Sequence, residues 1–237
     1  MDHRALTQDR EVIDEVWDLS DGEIHYLYWF IQGSIMVPDI RWRLRYAWGM
    51  CERHAWEALA VETAFRPTFL HGPAVLYQDL MERAQAAFKL VGPRKVLRLA
   101  RALRPTGPCM MCEMGYGPGQ LASASRDLIE EGRSLDHLRA ISARTEAHWR
   151  RDVCGHCLRD GSTPRCRPHL RQEARHGALL DVARQRALVD DILKRLAIYS
   201  RSFVWGFHHT QTDDGRASLI SAVGWCSGWR TLFRLLE

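Results

Sequence analysis

A chain of 237 residues, 46% of them apolar, can bury a core without help from a metal, as one large domain or two small ones. Its net charge of +4 comes from 33 basic against 29 acidic residues; the basic set is arginine apart from Lys89, Lys95 and Lys194 and is spread among acids, so nucleic acid is not the expected partner. No apolar run approaches a membrane span, and the acid-rich opening from Met1 to Ser20 does not read as a secretory signal, so a cytoplasmic protein off the membrane is expected. Thiols stay reduced there, and seven cysteines, an odd count, favour metal ligation over disulfides.

From Gln8 to Phe30 apolar residues recur at helical spacing with an interruption at Asp21-Gly22, which predicts two helices or one broken one. Pro38-Asp39 opens a third that ends near Gly49. Met50 to Ala64 is the next, with Cys51 and His54 on one face of its first turn. His71-Gly72-Pro73 starts a long helix that runs through Val91 to Gly92-Pro93, His71 being read as a loop or cap residue. Arg94 to Leu103 is a short amphipathic helix rich in arginine. Leu121 to Glu131 and Ser134 to Arg151 follow, the second with Ser134 as its N-cap. A helix begins near Pro168, and helical spacing continues through Leu179 and Leu180 to Tyr199. Phe203 to Gly215, with His208-His209 and Asp213-Asp214, reads as a loop. Ala217 to Leu236 reads as a final helix in which Gly224, Cys226 and Gly228 allow close packing.

No segment alternates like a strand, so the expected fold is all-α: an irregular multi-helix bundle with a loop-borne zinc knuckle. Residues 1–237 are expected to form a single helical domain, with 1–104 as its helical half and 105–237 as its cysteine-rich half.

The chemistry concentrates in pairs of soft ligands. Cys154-Gly155-His156-Cys157 is followed, across Gly161 and Pro164, by Cys166-Arg167-Pro168-His169, and three thiolates with one imidazole at that spacing close a tetrahedron around zinc. Cys109/Cys112 and Cys51/His54 have the same two-residue gap. Local closure joins Cys154, Cys157, Cys166 and His169, leaving Cys109, Cys112, Cys51 and His54 for a second site between helices, at low cost in loop entropy. The competing pairing reads a duplicated unit and joins Cys109/Cys112 to Cys166/His169. Both stay open, with local closure favoured. Methionines at 110, 111 and 114 admit copper(I) but are also ordinary core filler.

Gly49-Met50-Cys51-Glu52-Arg53-His54-Ala55-Trp56, Ala74 to Leu80, Cys109-Met110-Met111-Cys112, Cys166-Arg167-Pro168-His169-Leu170 and Trp225 to Leu236 together resemble a bacterial all-helical family of unknown function. Its members carry Cys-x-x-Cys and Cys-x-x-His-x-Trp modules twice. The resemblance implies metal binding and no known reaction. This chain departs from it in lacking a Cys-x-x-Cys before Cys51 and in having the Cys154/Cys157 pair.

The expected function is therefore a zinc-binding accessory or interaction module whose metal is structural and whose partner is another protein. Two enzyme readings stand beside it. One is a metal-dependent enzyme, with zinc, iron or an iron-sulfur cluster and His54, His156 or His208 near an open position. The other is thiol redox chemistry at Cys154-Gly155-His156-Cys157, a tetrapeptide that disulfide isomerases share, although no strand precedes it here.

Overall fold

The computed structural model describes residues 19–89, 95–176, 181–207 and 210–236. Among them there is no strand, and the chain is all-α. The helices are α1 (Asp21–Ile31), α2 (Pro38–Ala47), α3 (Glu52–Phe65), α4 (His71–Phe88), α5 (Lys95–Ala102), α6 (Met110–Glu113), α7 (Arg126–Gly132), α8 (Asp136–Arg144), α9 (Glu146–Trp149), α10 (Gly155–Leu158), α11 (Arg167–Arg175), α12 (Val182–Arg201), α13 (Asp213–Ser227) and α14 (Arg230–Leu236). Among the described residues no helix is long and apolar enough to cross a membrane.

The centre of the molecule is α13, buried along its length, against which α3, α4, α8, α9, α11 and α12 all pack. Five fully buried tryptophans fill the space around its end: Trp48, Trp56, Trp149, Trp225 and Trp229. Trp149 and Trp229 stack at 5.8 Å between centroids, and Trp56 donates its indole N–H to the Gly228 carbonyl at 2.9 Å. Burial of rings this large supplies apolar area and fixed geometry together.

Several helix boundaries differ from those expected, each for a local reason. Asp21-Gly22 begins α1 rather than interrupting it: Ser20 caps the helix and Glu23 bonds back to Ser20 in a reciprocal capping box. Val12, Ile13, Val16 and Trp17, expected in a preceding helix, lie outside the described residues. Leu121 is exposed and outside any helix; the helix waits until Ser125 caps α7. Ser134 is not an N-cap, since its amide instead bonds to Glu131 in the turn that closes α7. The helix expected to run on to Arg151 breaks at Thr145, whose hydroxyl bonds the Ile141 carbonyl at 2.8 Å, and continues as α9 and a 3₁₀ turn, Arg150–Asp152. Asp181 caps α12, so the spacing from Pro168 to Tyr199 belongs to two helices; Leu179 and Leu180 are outside the described residues, as are Val91, Gly92, Pro93, Arg94, His208 and His209.

The expected final helix is also two. It turns at Gly228, where φ is +128° and a Cβ would run into the Glu52 carboxylate. One turn earlier, a Cβ on Gly224 would meet the Trp229 ring. The corner from Gly224 to Thr231 is thus packed too tightly for any side chain at either glycine, and it is pinned from two sides. Ser227 Oγ donates to the Met50 carbonyl at 3.2 Å and the Thr231 amide donates to Glu52 at 3.0 Å. The Arg167 guanidinium donates to the Cys226 carbonyl at 2.8 Å. Met50 and Glu52 flank Cys51, and Arg167 follows Cys166, so one corner holds the starts of both ligand-bearing helices.

Candidate metal centres

The structure brings the eight candidate ligands into two groups, Cys51/His54/Cys109/Cys112 and Cys154/Cys157/Cys166/His169, with the ligand atoms of each within 4.8 Å of one another. Cys109/Cys112 do not approach Cys166/His169, so the duplicated-unit pairing is not what the fold builds. Each group combines the same two pieces. A cysteine serves as N-cap residue of a helix and a histidine sits one turn in: Cys51 and His54 on α3, Cys166 and His169 on α11. Facing it is a knuckle in which one cysteine precedes a single helical turn that carries the other: Cys109 and Cys112 on α6, Cys154 and Cys157 on α10.

The distances fit one tetrahedral ion per group. Zinc–sulfur and zinc–nitrogen bonds of about 2.3 and 2.0 Å imply edges of about 3.8 Å between sulfurs and about 3.5 Å between sulfur and nitrogen. In the first centre His54 Nδ1 lies 3.2, 3.4 and 3.4 Å from the sulfurs of Cys51, Cys109 and Cys112, and Cys51 and Cys112 are 3.8 Å apart. In the second, His169 Nδ1 lies 3.3, 3.5 and 3.1 Å from Cys154, Cys157 and Cys166, and Cys157 and Cys166 are 3.9 Å apart.

Three thiols this close compete for ionisation, which a divalent cation would relieve. Hydrogen bonding from Cys51 holds Cys109 down to about 3, while the same bond, with burial, pushes Cys51 far up. Hydrogen bonds from Cys157 and Cys166 hold Cys154 far below its ordinary value, and giving that bond pushes Cys157 up to about 12.

The knuckles are positioned by backbone contacts. The Thr106 amide bonds to the Tyr46 carbonyl at 3.0 Å, which delivers Cys109 to the end of α2, and Arg43 pairs with Glu113 on α6. At the second centre Gly155 donates its amide to the Pro164 carbonyl at 3.0 Å, and a Cβ there would collide with the Ser162 backbone. That close approach explains the glycine between Cys154 and His156. Asp152, just upstream, is buried against Arg195 of α12 at 2.6 Å and Ser221 of α13 at 2.7 Å.

Sequence reasoning missed the carboxylates behind His54. Its Nε2 lies 3.3 Å from Glu23 and 3.8 Å from Glu57, both 0% exposed at the side chain. Arg53 bridges the two, at 2.8 Å to Glu23 and 2.6 Å to Glu57. Burial presses the Glu23 carboxyl upward, but hydrogen bonds from His54 and Ser20 and the Arg53 charge outweigh it and leave it below its usual value. Glu57, buried beside Glu23, is raised to about 7. Such a carboxylate fixes the imidazole tautomer so that Nδ1 faces the thiolates. The Ser20-x-x-Glu23 spacing is that of a capping box, a signal that could have placed Glu23 at a helix start but not against His54. His169 has a different neighbour: it stacks on His156 at 5.0 Å, and His156 bonds Glu173 at 2.9 Å.

The remaining candidates have other roles. Met110 and Met111 are buried in the core, Cys226 is fully buried, and His71 is the first residue of α4 beside Phe69 and Phe203. Asp213 and Asp214 lie in the first turn of α13 and pair with Arg144, Arg216, Arg151 and Arg195. The arginine-rich α5 packs against α11. In comparisons with known proteins, no family model, curated protein or solved structure matches the chain.

Proposed function

We propose that the chain is a helical scaffold carrying two structural zinc ions, one per centre, and acts as an interaction or accessory module for another protein. The observation that carries this reading is that each tetrahedron is completed by four protein ligands, three sulfurs and one imidazole nitrogen. That donor set is typical of closed, structural zinc and leaves no position for substrate. The ion would neutralise the thiolates and tie each knuckle to its helix. The burial of Cys154, 0% exposed and surrounded by Cys157, Cys166 and His169, supports a ligand role over exchange with a substrate disulfide.

Exposed Trp29, Trp42 and Tyr46 offer aromatic surface of the kind protein interfaces use. The paired helix-start and knuckle pieces are in keeping with the resemblance to bacterial helical proteins that the motifs suggest, and cysteines grouped as metal ligands suit a reducing, cytoplasmic setting.

Elemental analysis of the purified chain tests the metal directly, with two zinc ions per chain expected; a brown, iron-containing protein would replace zinc by an iron or iron-sulfur site. Strong chelation should then lower the melting temperature by tens of degrees, because zinc binding in such sites is worth on the order of 10 kcal/mol of folding free energy. An unchanged melting curve after complete metal removal would refute the structural role.

A further inference from the structure

The two centres offer their sulfurs to solvent very differently. Cys112 is exposed and Cys51 and Cys109 are partly so, whereas Cys154, Cys157 and Cys166 are all buried. This exposed cysteine also has a partner within reach, since Cys51 Sγ lies 3.8 Å from Cys112 Sγ. The approach to it is polar and open: Arg43 and Glu113 beside it are each about half exposed, at 47% and 53%. Behind it, Glu23 hydrogen-bonded to His54 enriches the electron density of the ligand set, which strengthens the thiolates as nucleophiles.

We propose that Cys112 is a peroxide-sensitive thiolate and that its oxidation to a disulfide with Cys51 releases metal from the first centre alone. This rests on the two-zinc reading and adds a modification site to it. The Cys112 sulfur attacks one oxygen of hydrogen peroxide and the O–O bond breaks. Sulfur keeps that oxygen as a sulfenic acid, and the departing hydroxide takes a proton to become water. The Cys51 thiolate then attacks the sulfenic sulfur, the S–O bond breaks, and the second hydroxide leaves as water with a second proton. Two thiolates have given two electrons to one peroxide, and one S–S bond has formed. Cys109 and His54 are then two ligands where four are needed, so the ion dissociates. The cysteines of the second centre are buried, at 0%, 6% and 1% exposed for Cys154, Cys157 and Cys166, and the same oxidant leaves them intact.

The test begins with a zinc count on the untreated full-length chain. Hydrogen peroxide is then titrated in while a chromogenic chelator reads free zinc, and the chain is unfolded in an alkylating reagent and mapped by mass spectrometry. One equivalent of zinc should appear in step with a Cys51–Cys112 disulfide, while Cys154, Cys157 and Cys166 remain fully alkylated and the second ion stays bound. Adding a thiol reductant and zinc should restore the starting count. Release of both ions together, release without a Cys51–Cys112 bond, or no release in excess peroxide would overturn the inference. A starting count below two would defeat the two-zinc reading itself, before any oxidant is added.

Discussion

The two centres share a ligand set and differ in almost everything around it. The first is assembled across the chain, from the start of α3 and a knuckle whose Cys112 is 61 residues beyond Cys51; the second closes within 15 residues, from Cys154 to His169. The difference in loop closure amounts to only about 1 kcal/mol, so chain entropy does not set their relative strength. Surroundings do. The first centre has one exposed thiolate and a buried carboxylate pair behind its histidine, while the second has three buried thiolates and a histidine stacked on another. Ligand geometry is thus separable from accessibility, and the same four donors serve a more exposed site and a more buried one.

The largest effects should come from the thiols themselves. Cys166→Ala leaves Cys154 and Cys157 buried with an incomplete ligand set, and is expected to lose the second ion and destabilise the chain by on the order of 5 kcal/mol in denaturant unfolding. Cys112→Ala should be milder, because solvent can supply a fourth ligand: the first ion stays, bound more weakly. Equal losses from both substitutions would break the comparison. Next comes the corner the centres share. Gly228→Ala forces a Cβ into the Glu52 carboxylate at a left-handed φ and is expected to cost about 2–3 kcal/mol, with zinc affinity falling at both centres. A loss confined to one centre would show that the corner does not join them.

Smaller and more selective is Glu23→Gln, which removes the carboxylate that orients His54. It should weaken zinc at the first centre by about 10- to 100-fold in competition with a chromogenic chelator and leave the second unchanged. The smallest effect belongs to His156→Ala. That side chain is 48% exposed, and its loss removes only a stacking contact and a hydrogen bond, so zinc affinity at the second centre should change by less than about threefold, roughly 0.6 kcal/mol.

These contrasts also explain what could be read from residues alone. The second centre lies in one loop, so Cys154, Cys157, Cys166 and His169 were legible as a group, Gly161 and Pro164 marking the turn between them. The first depends on how α2, α3 and the approach to Cys109 meet, through contacts such as Thr106 to Tyr46, and spacing alone left its pairing open. All-helical character followed from the apolar period. The breaks at Thr145 and Gly228 did not, because the apolar period runs through both: one is made by a hydroxyl bonding back to Ile141, the other by a close approach of Glu52. Glu23 and Glu57 stayed hidden because a buried carboxylate looks in sequence like any solvated one.

The pairing of ligands is tested most directly by native mass spectrometry of the Cys109→Ala, Cys112→Ala double variant. Two independent four-ligand centres predict one zinc ion retained per chain, held by Cys154, Cys157, Cys166 and His169. A variant that binds no zinc while still folded, or one that keeps two ions, would contradict the account.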